Sequence, residues 1–234
     1  MALIKFGGGV VQASGSLSGD TFARNRFGNY VRARTKPVNP KSARQTAARL
    51  LVMMLAEQWR ESPMTDEIRS AWGTYANSVN WNNRLGEVVK LTGFNMFVRG
   101  NCAILTAGGT LVTAAPTDLG LPGADPDFVC TGSAGDEKIS VAFDNTLDWA
   151  TEAGGYLSVE MGCPQNPTRN FFGGPWRFAD AIVGATPVPP TSPTEIDPPF
   201  TLVEGQKVWC RARIIRADGR ISTQFNSDPF AVGA

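Results

Sequence analysis

The chain has 234 residues, enough for one large domain or two smaller ones with a buried core. Hydrophobic residues at 42% and charged residues at 18% exclude a disordered chain and a membrane-embedded one, and 25 Gly with 16 Pro favour a turn-rich, β-rich part. The net charge of +1 hides a split: residues 1–60 hold ten Lys/Arg against Asp20 and Glu57, a net +8, which leaves −7 for the rest. Such asymmetry fits a nucleic-acid contact or an acidic protein partner for the basic half, or head-to-tail packing between copies of the same chain.

Residues 1–19 are Gly/Ser-rich and read as an extended arm that stays loose unless docked. Thr21–Thr35 alternates strand-prone residues with arginines around Phe27-Gly28, the pattern of a β-hairpin. Phe22, Arg24, Arg26, Tyr30, Arg32, Arg34 and Lys36 are its candidate interface residues. A lone hairpin is marginal in water, so its strands are expected to pair with a partner's sheet. Asn39-Pro40 reads as an N-cap and first helical residue, opening a helix to Arg60 that Ser62-Pro63 breaks. Thr65-Asp-Glu67 opens a second helix, an antiparallel neighbour of the first, and Thr92 caps a third after the strand-like Glu87–Leu91. Leu51, Leu55, Trp59, Trp72, Tyr75 and Phe97 are the predicted helical core. An aromatic stripe at this spacing is more often core than ligand box.

Residues 107–127 read as a linker, rich in Gly, Ala and Pro. Beyond it the hydrophobic period changes to two, in Lys138–Phe143, Gly155–Met161 and Val208–Ile215. Ala217-Asp-Gly-Arg220 reads as a tight turn into Ile221–Phe225, and Phe128–Thr131, Trp176–Val183 and Asp228–Val232 add further strands. About seven short strands in roughly 110 residues match the size of an immunoglobulin-like sandwich. Pro187–Pro199, with six prolines, reads as a long extended loop. The expected fold class is therefore α+β multidomain: an N-terminal β-hairpin plus helical hairpin over 20–106, and a C-terminal immunoglobulin-like β-sandwich over 128–234.

No residue pattern selects an enzyme. The chain has no histidine, so no Ser-His-Asp or Cys-His arrangement exists. Asp125/Asp127 and Asp136/Glu137 sit in turn-rich segments where solvated loop acids are the ordinary reading, although a two-carboxylate glycosidase needs no more than such a pair. Asp144, Asp148 and Glu152 match calcium spacing only loosely. Cys102, Cys130, Cys163 and Cys210 form no C-x-x-C pair, so no metal site and no cofactor is expected. Buried free thiols are expected, with a Cys130–Cys210 disulfide as the geometrically possible alternative. No apolar run is long enough for a bilayer, and Met1–Gly9 lacks signal-peptide order, so synthesis in the cytoplasm and no membrane are expected.

Two resemblances carry the functional expectation. Phe22-Ala-Arg-Asn-Arg-Phe-Gly-Asn-Tyr-Val-Arg-Ala-Arg-Thr-Lys-Pro-Val-Asn-Pro40, with Gln45, Arg49, Trp59, Trp72, Tyr75 and Gly93-Phe-Asn-Met-Phe97, resembles a group of small proteins of tailed bacteriophages, prophages and some environmental bacteria. The resemblance spans about residues 5–105 and implies a virion structural role. Val208-Trp-Cys-Arg-Ala-Arg-Ile-Ile-Arg-Ala-Asp-Gly-Arg-Ile-Ser222 resembles a fibronectin type III module, departing from it at Val208 and Trp209, where the usual corner tyrosine is missing. Such modules serve phage capsid and tail proteins as contacts to neighbours or to host sugars. Together these imply a capsid or tail component located in the virion, a homo-oligomer whose partners are copies of itself and other virion proteins. The alternative is a module that binds a host-surface glycan or protein. Protein contact is favoured over nucleic acid because the arginines are interleaved along strands, not gathered into a run.

Overall fold

The structure, a computed structural model, describes residues 2–10, 12–25, 28–36, 38–61, 63–82 and 87–234. It is a mixed α+β chain that divides into two compact units, Met1–Ala47 and Ala48–Ala234.

The first unit is a four-stranded antiparallel sheet. Its strands are β1 (Ala2–Leu3), β2 (Gly15–Leu17), β3 (Asp20–Asn25) and β4 (Gly28–Ala33), in the order β1-β4-β3-β2. The β3–β4 hairpin is paired from Asp20↔Ala33 down to Asn25↔Gly28, and Gly28 takes a φ of 122° that a side chain rarely tolerates. Arg26 and Phe27, between those last partners, lie outside the described residues. The expectation that both hairpin strands await a partner's sheet is corrected here. β2 covers β3 at Asp20–Phe22 and β1 covers β4 at Tyr30–Val31. These flanking strands escaped the sequence pattern because Gly15-Ser-Leu17 and Ala2-Leu3 pair through main chain and carry little alternation to read.

Helix α1 (Ala43–Arg60) starts three residues later than Asn39-Pro40 suggests. Lys41 adopts a φ of 47°, which no helix accepts, and the Ser42 hydroxyl receives the Gln45 N–H at 3.4 Å as the actual cap. In the second unit, α2 (Asp66–Ser78) is capped by Thr65, whose Oγ1 accepts from Ile68 N, with Asp66 and Glu67 in its first turn. A two-residue ladder, β5 (Trp81–Asn82) with β6 (Val88–Val89), leads to α3 (Gly93–Thr106), capped by Thr92. The close helix pair is α2–α3, not α1–α2 as the short connection suggests. A Cβ on Gly93 would lie 2.7 Å from the Gly73 nitrogen, so only glycine lets the start of α3 meet the backbone of α2. Among its described residues α1 buries only Leu55 completely, while Trp59 packs on Phe94 and Phe97 at ring distances of 5.7 and 5.2 Å. The Arg69 guanidinium donates to the Trp59 and Arg60 carbonyls at 3.0 and 3.2 Å, satisfying the end of α1.

Residues 107–127 are strapped down rather than free. Trp72 Nε1 donates to Thr113 O at 2.9 Å and the Ser78 hydroxyl to Leu119 O at 2.8 Å. Asn101, fully buried, donates to Phe97 O and Val112 O and accepts from Val112 N at 2.7 Å.

The remaining elements are β7 (Val129–Ser133), β8 (Lys138–Ala142), the short helix α4 (Asp148–Thr151), β9 (Tyr156–Gly162), β10 (Trp176–Val183), β11 (Thr194–Ile196), β12 (Lys207–Val208), β13 (Cys210–Ile215), β14 (Phe225–Asn226) and β15 (Phe230–Ala231). One sheet has the order β11-β8-β7, another β10-β9-β13-β14, and β12 pairs with β15. Side chains from both sheets meet in one core that includes Ile139, Val141, Leu157, Val159, Met161 and Ile214, together with Trp149 of α4. The loop expected over 187–199 contains β11, an edge strand beside β8; Pro193 before it and Pro198 after it hid it from pattern reading. The long strand expected over Val208–Ile215 is interrupted at Trp209. Beyond it, Gly219 with a φ of 91° forms the turn that returns the chain to Ile221, opposite Ile215. All four cysteines are free; Cys130 and Cys210 are buried side by side, and their mutual hydrogen bond and burial push the Cys210 thiol well above its ordinary range.

Candidate assembly surface

The cationic side chains of the first unit are distributed by strand alternation. Phe22 lies opposite Val31 and Arg24 opposite Asn29, so Phe22, Arg24 and Val31 share one face. Thr21 lies opposite Arg32 and Ala23 opposite Tyr30, which puts Tyr30 and Arg32 on the other face. Arg34 follows the last strand, where its N–H donates to Gly19 O at 2.8 Å, and Lys36 is exposed beyond it. Arg26 lies outside the described residues. Phe22, Tyr30 and Val31 are half-buried; Arg24, Arg32, Arg34 and Lys36 are exposed and join no ion pair among the described residues. No described residue of 1–47 is buried. The sheet therefore has main-chain pairing, aromatic and aliphatic side chains on both faces, and no core among its described residues.

Helix α1 presents a second surface of the same character. Leu50, Met53 and Met54 are 53, 52 and 39% exposed, and at i, i+3 and i+4 they lie on one side of the helix. The predicted helical core residues divide accordingly. Leu55, Trp72, Tyr75 and Phe97 are fully buried together, whereas Leu51 and Trp59 are half-buried at the margin of that cluster. Burial pushes the Tyr75 hydroxyl up to about 12, so this phenol is a core group without proton chemistry near neutrality.

Several acids considered for chemistry are engaged elsewhere. Glu152 and Asp148 grip the Arg216 guanidinium at 2.7 and 2.9 Å, and Asp144 accepts from both groups of Thr146. Asp125 is 4% exposed and accepts the N–H groups of Asp127 and Asp144; burial raises its carboxyl above the usual range. Among the described residues no cluster of three or more His, Cys, Asp or Glu could hold a metal ion, and no helix is long and apolar enough to cross a membrane. The sequence reading does not single out the exposed face of α1, because nothing in the sequence says which apolar residues of the helix the fold leaves uncovered. Against models of known protein families, curated proteins and solved structures, the chain finds no match.

Proposed function

We propose that this chain is a structural subunit of a bacteriophage-type particle, a capsid decoration, minor capsid or tail component, that assembles through its basic N-terminal region. The observation that carries the reading is the sheet of residues 2–36, whose described residues include no buried side chain and show half-buried aromatics and cations without an ion pair on both faces. A sheet without a buried face has little independent stability and gains it from neighbours. The arginines set register against acidic surfaces, and the net −7 of residues 61–234 supplies such surfaces on other copies of the chain. Its Phe22–Pro40 motif, similar to proteins of tailed phages and prophages, supports the particle setting. Repetition in a symmetric array then sums weak contacts into firm retention.

The second half is best read as an immunoglobulin-like sandwich of the fibronectin type III kind. In support, its first, second and fifth strands form one sheet (β7, β8, β11). The fourth, third, sixth and seventh form the other (β10, β9, β13, β14), with β12 taken as the start of the sixth. The role is architectural, with partners among virion proteins.

Deleting residues 1–36 tests the proposal. Mass photometry and cryo-electron microscopy of the full chain should find rings, trimers or particle-bound copies with the sheet buried between chains, and the deletion should abolish them while the remaining fold persists. Normal incorporation of the deleted chain would refute it.

A further inference from the structure

Helix α3 lies across the sheet containing β9, β10 and β13, and a cleft of about 340 Å³ opens between them. Arg99 and Thr106 line it from α3, Ser158 and Glu160 from β9, Phe178 from β10 and Arg213 from β13. Its volume is at the lower end of the range for small-ligand sites, roughly 300–1,000 Å³.

The charges in this cleft do not balance. Glu160 is already taken by Arg211, directly opposite it in the ladder, at 2.5 Å, and Arg211 also stacks on Trp176 at 4.5 Å. Arg213 meets the neutral Gln224, which with its amide oxygen turned inward accepts from Arg213 Nη2 at 2.5 Å and from Arg211 Nη2 at 3.1 Å, and the charge of Glu160 only partly offsets the burial of Arg213. Arg99 rests over the Trp81 ring at 4.4 Å and donates to Ser222 O at 3.3 Å. Among the described residues neither Arg99 nor Arg213 has a carboxylate partner. Both are half-buried. Burial, and then the like charge of Arg213, pulls Arg99 down to about 10, and burial lowers Arg213 as well. Two half-buried guanidiniums that line one cleft, with Glu160 already bonded to a third, cost stability unless an anion joins them.

We propose that this cleft binds a small organic acid of about monosaccharide size, its carboxylate clamped between Arg99 and Arg213. A guanidinium fork matches the two oxygens of a carboxylate. The Ser158 and Thr106 hydroxyls offer hydrogen bonds to the carrier, and the ring of Phe178, 38% exposed, gives it an apolar wall. The site belongs wholly to the second unit and does not depend on particle assembly.

The test uses the full chain, with D-glucuronate as probe and D-glucose as the neutral control of similar size, read by titration calorimetry and by melting temperature. Glucuronate should bind saturably, more weakly as salt rises, and glucose should not. Arg213→Gln and Arg99→Gln, on separate elements, should each weaken glucuronate binding about tenfold or more. Without ligand, Arg213→Gln should melt at or above the wild-type temperature, because it removes the like-charge cost. Three results would overturn the proposal: no saturable glucuronate binding, equal binding of glucose, or affinity unchanged in both variants. A purely structural tether would instead show both variants melting lower with no dependence on the anion.

Discussion

The two units differ less in their raw material than in where it ends up. Residues 2–36 contain Phe22, Tyr30, Val31 and Leu3, all strand-formers, and pair them through a four-stranded ladder, yet no described side chain there is buried. The second unit pairs strands of similar length and buries Ile139, Val141, Leu157 and Val159 completely between two sheets. Main-chain pairing gives both regions a shape, but only the second has removed enough apolar surface from water to hold that shape by itself.

Substitutions can sharpen that contrast. Trp72→Ala empties the centre of the helical core, between Tyr75 and Phe97, and strands the Thr113 carbonyl. It should cost about 3–5 kcal/mol in urea unfolding. Asn101→Ala comes next: it leaves the Val112 N–H and carbonyl without their buried partner and should cost about 1–3 kcal/mol by the same measurement. A smaller effect is expected at Asp118, whose carboxyl the Gly120 N–H and then the Arg220 guanidinium hold below the usual carboxylate range. A lowered folded pKa means the contribution is complete above the ordinary carboxylate range and is lost as pH falls through the folded value. Asp118→Asn should therefore slightly lower stability at neutral pH and converge on the wild type in acid, flattening the acid limb of a stability–pH profile. Least of all, Leu50→Glu or Met53→Glu on the exposed side of α1 should alter stability by no more than about 0.5 kcal/mol. The same charge should nonetheless reduce assembly measured by mass photometry. If either variant instead unfolds the chain, α1 belongs with the second unit's core and the contrast fails at that helix.

What could be read from the sequence follows the physics of each signal. Thr65 and Thr92 announced α2 and α3 because a hydroxyl before a periodic apolar run is local chemistry. Asn39-Pro40 offered the same chemistry and misled, since the φ of Lys41, decided by the chain around it, moved the cap to Ser42. The Lys138–Ala142 and Tyr156–Gly162 strands were legible from alternation, whereas β11 was masked by its prolines and β1 and β2 by their length of two and three residues. The exposed arginines of the first sheet were visible as residues, but their division between two faces needed the register. Arg99 and Arg213, 114 positions apart, had no shared signal at all until α3 was laid across β13.

The strapped segment between the helices and the sheets has a consequence for imaging. Asp118 on that segment pairs with Arg220 beside the β13 turn, and Arg99 reaches Ser222. A Cβ on Gly100 would collide with the Gly219 carbonyl at 2.5 Å, so helix and turn lie backbone to backbone. A module hung on a slack tether blurs when many copies are averaged. One clasped this tightly to its mount should stay sharp to its outermost strand, so that a reconstruction which anchors α3 also traces β10.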